Sequence, residues 1–121
     1  MPYDDTNVFA RILRGEIPCN RIYEDDCAIA FHDLHPQAPV HALVIPKGPY
    51  MNHNDFAANA SEAEIAGLQR AIGKVAEKLG VTGAGYRLIS NCGSNAGQEV
   101  PHYHVHILGG RALGRMLAGD K

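Results

Sequence analysis

Residues 102–108, His102-Tyr103-His104-Val105-His106-Ile107-Leu108, alternate between histidine and larger, mostly apolar side chains. Residues two apart on a β-strand lie on the same face of the sheet, about 6.6 Å from one another. The pattern therefore predicts a strand that buries Tyr103, Val105 and Ile107 and turns the three histidines to the opposite face. A helix would scatter the three rings and leave no apolar stripe, which favours the strand.

Three imidazole rings on one face suit two kinds of chemistry. Neutral imidazole is a common zinc ligand, so such rings can hold a catalytic ion with an open position. A neutral imidazole can also attack phosphorus and form a covalent intermediate, while neighbouring rings position or protonate the oxygens and the leaving group. The preceding loop, residues 91–98, is rich in glycine and amide side chains, whose N–H groups can surround an anion. The loop favours a phosphate ligand and is a poor source of metal ligands.

The remaining elements are predicted from apolar periodicity and turn-forming residues. A first helix carries the stripe Val8, Phe9, Ile12 and Leu13, and Thr6 or Asn7 can cap it. Short strands are expected at 21–24, 27–33, 41–46 and 86–91, and a loop from 47 to 60. A long helix begins at Ser61 with a capping box to Glu64 and ends at Gly80. Short connections between neighbouring strands favour an antiparallel sheet with helices on one face, an α+β domain.

Length and composition narrow the classes of protein. The chain has 121 residues, 45% of them hydrophobic and 20% charged, with a formal net charge of -2. We expect one domain spanning 1–121, with a core of about 6–110 and a C-terminal tail of 111–121. No basic footprint indicates nucleic-acid binding, and no apolar run approaches the roughly 18 residues of a membrane span. Residues 1–6 lack the features of a signal peptide. The odd number of cysteines, Cys19, Cys27 and Cys92, argues against disulfides and favours the cytoplasm.

The histidine pattern matches the motif His-φ-His-φ-His-φ-φ, where φ is apolar, and the chain resembles the histidine triad family. Segments 12–18, 30–34, 36–47 and 97–100 are similar to its histidine-triad nucleotide-binding (Hint) branch, as is Gly109-Gly110-Arg111. The resemblance covers about residues 6–118. It implies a HIT-like five-stranded antiparallel sheet with two helices, paired into a homodimer. It also implies hydrolysis of purine nucleoside 5′-phosphoramidates, through a nucleotidylated histidine and without a metal.

The resemblance assigns roles to four histidines. His104 matches the nucleophile, and His106 lies at the phosphate and the leaving group. His102 and His41 complete the network that orients the nucleophile. A ring that attacks phosphorus must keep one nitrogen unprotonated, so its other nitrogen should donate to a fixed acceptor.

The resemblance also implies a nucleotide site for a purine nucleotide such as AMP or GMP. Asp33 matches the acid that binds the ribose hydroxyls, and Glu99 stands near the leaving group, where some relatives carry serine. The base is expected against Val8, Phe9, Ile12, Phe31 and Leu34, and the phosphate against Asn91, Gly97 and Gln98. We expect His32, His35 and His53 to be solvated.

Two other functions remain open at this point. A nucleotide-binding regulatory module would keep the pocket and hardly turn over. A zinc hydrolase would use His102, His104 and His106 as ligands, although the resemblance implies that no cofactor is required. In a dimer, the tail can reach the partner's site and influence the choice of substrate.

Overall fold

The computed structural model of the chain describes residues 2–118. Its strands form one antiparallel sheet, in the order β1-β2-β3-β5-β4, which confirms the predicted fold class. The strands are β1 (Arg21–Glu24), β2 (Ala28–His32), β3 (Val40–Pro46), β4 (Tyr86–Ile89) and β5 (Val105–Gly109). The α-helices are α1 (Val8–Leu13), α2 (His53–Asn59) and α3 (Glu62–Lys78), and Ser94–Ala96 form a 3-10 turn.

The helix α3 packs on one face of the sheet. Its Leu68, Ile72 and Val75 are buried against the small side chains that β2 and β3 place on this face, namely Ala28, Ala30, Ala42 and Val44. The predicted capping box at Ser61 and Glu64 is present at the start of the helix. Small residues on the sheet allow the helix to approach closely, so this face forms the larger core.

The helix α1 lies on the opposite face, so the prediction that the helices share one face is wrong. Here Phe9 and Ile12 pack against Ile29, Phe31, Leu43 and Ile45, the alternate residues of β2 and β3. Both strands are apolar on both faces, and a sheet of this kind must be covered on both sides. The cover that α1 provides is partial, and the space beside it becomes the cavity described below.

Residues 2–118 contain three α-helices where two were expected. Residues 53–59 were predicted as part of a loop, but they form the short helix α2, capped by the side chain of Asn52. Only Phe56 of this helix is buried. A helix of two turns with one buried residue has no apolar period, which is why the pattern missed it.

The histidine strand begins at Val105 rather than His102. As predicted, Tyr103, Val105 and Ile107 are buried in the core beside α3. Pairing between β5 and β3 stops at Val105, because β3 ends at Pro46 and proline has no N–H to extend the ladder. The Pro46 carbonyl instead accepts a hydrogen bond from the His102 ring (2.8 Å). The first two histidines are therefore held by side-chain contacts rather than by strand pairing.

The C-terminal tail starts beside β4. The Arg87 guanidinium on β4 donates to the carbonyls of Gly114 (3.0 Å) and Arg115 (3.2 Å), which holds the start of the predicted tail beside the sheet. The end of that tail, residues 119–121, lies outside the described residues, as does residue 1 of the segment examined for a signal peptide. Within residues 2–118, no helix is long and apolar enough to cross a membrane.

Candidate active site

A cavity of about 510 Å³ opens on the α1 side of the sheet. Its apolar end is formed by α1 and β2, where the rings of Phe9 and Phe31 meet edge to face with centroids 5.6 Å apart. Val8 and Ile12 complete this end, and Leu34 lies at the rim with 83% of its surface exposed. Such an apolar surface of aliphatic and aromatic side chains suits a flat, weakly polar ligand.

The polar end of the cavity is formed by histidines, carboxylates and the glycine-rich loop. His104 and His106 line it together with Asp33, Asn91 and Glu99. Gly97 lines the same end in the left-handed conformation (φ 76°, ψ 33°), which favours glycine. Within residues 2–118, no lysine or arginine lines the cavity. An anion bound here would therefore meet neutral donors rather than fixed positive charges.

The tautomer of His104 is set by the backbone. Its Nδ1 lies 2.7 Å from the carbonyl oxygen of His102, and since a carbonyl only accepts, Nδ1 carries the proton. The other nitrogen, Nε2, then holds a lone pair on a ring that lines the cavity. Burial lowers the pKa of His104, because it disfavours the charged form. His104 is therefore a neutral imidazole with a nucleophilic nitrogen.

The tautomer of His106 is set by the backbone of Gln37, acting through the His41 ring. The backbone N–H of Gln37 donates to His41 Nδ1 (3.0 Å), so neutral His41 carries its proton on Nε2. That proton points to His106 Nδ1 (2.9 Å), and Asp33 Oδ2 lies 3.4 Å from the same nitrogen of His41. His106 therefore accepts at Nδ1 and carries its own proton on Nε2. Burial, together with His104 and His41 nearby, lowers the pKa of His106 to about 4, so the ring is neutral.

His102 lies behind the cavity rather than in it. It has no exposed surface, and burial lowers its pKa to about 4. Both ring nitrogens are hydrogen-bonded within the protein, Nε2 to the Pro46 carbonyl and Nδ1 to the Tyr3 hydroxyl. These two hydrogen bonds hold His102 in place, and the backbone carbonyl of His102 in turn orients the His104 ring.

The donor set does not match the three-histidine zinc site considered above. Among the described residues, the ligand atoms close enough to share an ion belong to Asp33, His41 and His106, all within 4.8 Å of one another. A cation on His41 Nε2 would move the ring proton to Nδ1, where the Gln37 N–H already points. Two donors would then face each other, so an ion at this place would cost the hydrogen bond that fixes His41.

Comparison with known proteins agrees with this geometry. The family model described as "HIT domain" matches residues 14–113. The chain belongs to the HIT family. It is 61% identical to an uncharacterized 13.2 kDa HIT-like protein of Azospirillum brasilense, over 95% of this chain and 94% of the relative. It is 44% identical to the purine nucleoside phosphoramidase of Escherichia coli K12, over 94% of this chain and 95% of the relative. A histidine triad protein from Clostridium difficile superposes with a TM-score of 0.85 at 40% identity, over 97% of this chain and all of that chain.

The HIT domain places most of the predicted site residues around this one cavity. The nine predicted nucleotide contacts that line it are Val8, Phe9, Ile12, Phe31, Asp33, Leu34, Asn91, Gly97 and Glu99. Gln98 does not line it, because its amide braces the loop: Nε2 donates to the carbonyls of Met51 (2.7 Å) and Val100 (3.0 Å). Of the four predicted histidines, His104 and His106 line the cavity, and His41 and His102 stand behind them.

Sequence reasoning missed several residues of this HIT domain. The exposed rings of His32 and His35 line the cavity rim, although only solvation was expected of them. Gln37 was part of a recognised segment, but its role belongs to a backbone N–H that no side-chain pattern reveals. Tyr3 and Asn7 reach the triad from the N-terminal segment, and only the capping preference of Asn7 was visible in the sequence.

Proposed function

We propose that this protein hydrolyses purine nucleoside 5′-phosphoramidates through a covalent nucleotidyl intermediate on His104. The observation that carries the proposal is the hydrogen bond from His104 Nδ1 to the His102 carbonyl, which leaves Nε2 as an unprotonated nucleophile beside the cavity. The identity with the E. coli protein named purine nucleoside phosphoramidase extends over nearly the whole chain and supports the same activity here.

The cavity offers a place for each part of such a substrate. The purine would lie against the apolar end of the cavity, formed by α1 and Phe31, and its apolar surface would be buried there. The Asp33 carboxylate, one of whose oxygens already accepts the N–H of His35 (2.8 Å), would accept hydrogen bonds from the paired ribose hydroxyls. The phosphate would then lie between His104, His106 and Asn91, with the leaving amine toward the exposed Glu99.

The reaction proceeds in two balanced steps. In the first, His104 Nε2 forms a bond to phosphorus while the P–N bond breaks, and the departing nitrogen takes a proton from water at the open mouth, where the Glu99 carboxylate relays it. In the second, water attacks phosphorus, the bond to His104 breaks, and one proton returns to the solvent with release of the nucleoside monophosphate. Neither step requires a cofactor.

In this scheme His106 acts as a neutral donor. Its Nε2–H stabilises the negative charge on the phosphate oxygens as the transition state forms. A second proton on Nδ1 would face the Nε2–H of His41, so His106 is poorly suited to become an imidazolium. The proton for the leaving amine is therefore assigned to the solvent side of the cavity.

The first experiment is hydrolysis of adenosine 5′-phosphoramidate by the purified protein in EDTA, with AMP release as the measurement. We expect steady release, and acid quenching during turnover should trap adenylylated His104 for mass spectrometry. His104→Ala should abolish turnover and keep AMP affinity within about tenfold, because the ring contributes mainly in the transition state. Arg70→Ala, at an exposed position of α3 outside the cavity, is the control and should keep the wild-type rate.

Each other result points elsewhere. If the protein binds AMP tightly but produces none from adenosine 5′-phosphoramidate, the regulatory module is favoured. Activity that EDTA removes and zinc restores would favour a metal hydrolase. An active His104→Ala variant would contradict the assigned nucleophile.

We also propose that the protein forms a homodimer through β4. This strand is an edge of the sheet and exposes Tyr86 and Leu88, the latter at 46%. An exposed apolar edge strand is a natural site for pairing with a second copy. Light scattering should give a mass near twice 13.1 kDa, and Leu88→Lys should shift it toward the monomer. A monomeric wild-type protein at micromolar concentration would contradict the proposal.

We further propose that, in such a dimer, the tail of one protomer acts on the partner's site. Deleting residues 112–121 should then alter substrate preference.

A further inference from the structure

The N-terminal segment, residues 2–7, reaches the back of the triad. The Tyr3 hydroxyl is hydrogen-bonded to Nδ1 of His102, and the Asn7 amide donates to the Tyr3 oxygen (3.0 Å). Because His102 Nε2 donates to the Pro46 carbonyl, Nδ1 is the unprotonated nitrogen and Tyr3 is the donor. A chain of donors therefore runs from Asn7 through Tyr3 to a fully buried ring.

Tyr3 and Asn7 lie outside the part of the chain that the family model matches, which begins at residue 14. Neither Tyr3 nor Asn7 lines the cavity, so neither has a direct role toward a ligand there. Their polar groups nevertheless converge on the first histidine of the triad.

We propose that Tyr3 is a positioning residue for the nucleophile His104 and acts through His102. The proposal rests on the proposed function of His104. His102 is anchored at both ring nitrogens, and its own carbonyl accepts the Nδ1–H of His104. If one anchor is lost, the ring can turn, and the carbonyl that orients His104 belongs to the same residue. The ring of Phe9 touches both histidines edge on, with centroids 6.3 Å from His102 and 5.0 Å from His104, so a shift of one ring is transmitted to the other.

Tyr3 also keeps charge away from the nucleophile. A hydroxyl that donates to Nδ1 stabilises the neutral form of His102 and its Nε2–H tautomer. Without the hydroxyl, Nδ1 is a buried acceptor that has lost its partner, and such a group must turn, take up water or bind a proton. Each of these outcomes disturbs the environment of His104.

The test is Tyr3→Phe, which keeps the ring and its edge contact with His102 (centroids 5.6 Å apart) but removes the hydroxyl. We expect kcat for adenosine 5′-phosphoramidate to fall by about five- to tenfold, the typical effect of losing one buried hydrogen bond. KM and AMP affinity should change less than twofold, because the cavity lining is intact. Tyr23→Phe is the matched control: it removes another tyrosine hydrogen bond, to Asp25 Oδ2 (2.6 Å), on a strand outside the cavity, and should leave kcat unchanged.

A second readout does not depend on turnover. Imidazole ¹⁵N spectra of the wild-type protein should show His102 Nδ1 as a hydrogen-bonded acceptor and His104 as a single Nδ1–H tautomer. In Tyr3→Phe the His102 signal should move to the position of an unbonded or protonated nitrogen, and the His104 N–H signal should broaden. Asn7→Asp keeps the helix cap and draws the Tyr3 proton toward its own carboxylate, so it should change the His102 signal in the same direction and serves if Tyr3→Phe does not fold.

Unchanged imidazole spectra of His102 and His104 in these variants would overturn the proposal. So would a loss of kcat in Tyr3→Phe that Tyr23→Phe reproduces, because it would reflect stability alone. If the wild-type protein fails to hydrolyse the phosphoramidate, the proposed function fails, and the spectra still decide whether Tyr3 positions the His104 ring through His102.

Discussion

At the scale of single residues, backbone groups decide which nitrogen of each cavity histidine carries a proton. The His102 carbonyl can only accept, and the Gln37 N–H can only donate. As a result two neighbouring rings offer opposite groups to the same ligand, a lone pair on His104 and an N–H on His106. Nucleophilic attack on a phosphate needs this combination, with one ring to attack and one to stabilise the oxygens.

The role of Asp33 can be tested by changing the ligand as well as the residue. Asp33→Asn should weaken binding of AMP by roughly tenfold or more, because the proposed hydrogen bonds from the ribose hydroxyls would go to a neutral amide instead of a charged carboxylate. Binding of 2′,3′-dideoxy-AMP should be nearly the same for both proteins. Calorimetric titration of the two nucleotides into both proteins gives the comparison.

The dideoxy nucleotide is the control for indirect effects of Asp33→Asn, since this carboxylate also lies near His41. Equal losses for both nucleotides would mean that Asp33 acts through His41 rather than on the ribose.

The sequence predicted which residues lie around the cavity better than it predicted the protonation states of the histidines. The alternation at 102–108 indicated the histidines and the buried Tyr103, Val105 and Ile107, because side-chain periodicity is visible in a sequence. Their tautomers depend on Gln37, Pro46 and His102 as backbone partners, and backbone groups carry no sequence signal. Gln98 was predicted to contact the phosphate, but its side-chain amide is hydrogen-bonded to the backbone carbonyls of Met51 and Val100.

At the scale of elements, Gly67 lets α3 approach Cys27, which lies in the turn just before β2. A Cβ on Gly67 would lie 2.7 Å from the Cβ of Cys27 and would also meet its sulfur, whereas a Cβ on Gly73 would meet nothing within 4 Å. Gly67→Ala should therefore lower the free energy of unfolding by about 1–3 kcal/mol. Gly73→Ala in the same helix should raise it by about 1 kcal/mol through helix propensity alone. Urea denaturation of the two variants measures both values, and stabilisation by both would show that Cys27 can move aside.

Elements with a repeating apolar pattern were predicted, and those without one were not. The long helix α3 and the five strands were expected near their observed positions, with ends displaced by a few residues. The helix α2 was missed because one buried phenylalanine makes no period. The side of the sheet on which α1 packs depends on β2 and β3 being apolar on both faces, and this signal was present in their continuous apolar runs.

At the scale of the whole molecule, the apolar core and the cavity lie on opposite faces of the sheet. The face toward α3 is a closed apolar core, while the face toward α1 holds buried histidines beside an open cavity. The same burial that keeps these rings neutral means that the folded state takes up protons at them only at a lower pH than the unfolded state does. Function and acid sensitivity therefore have one physical cause.

The free energy of unfolding should consequently fall as the solution is acidified from about pH 6.5 toward pH 5. Burial lowers the pKa of His102 and of His106 to about 4, from an ordinary value near 6.5 that the unfolded chain regains. Between these values the unfolded state binds protons that the folded state does not, so stability is full above pH 6.5 and decreases below it, by at most about 1.4 kcal/mol per pH unit for each ring. Urea denaturation at pH 7.0, 6.5 and 6.0 measures the slope in a range where carboxylates scarcely titrate. His106→Asn should reduce this slope by up to about 1.4 kcal/mol per pH unit, the contribution of one proton. Equal slopes for wild type and His106→Asn would mean that His106 takes up its proton in the folded state, and a neutral donor could not then be its role in catalysis.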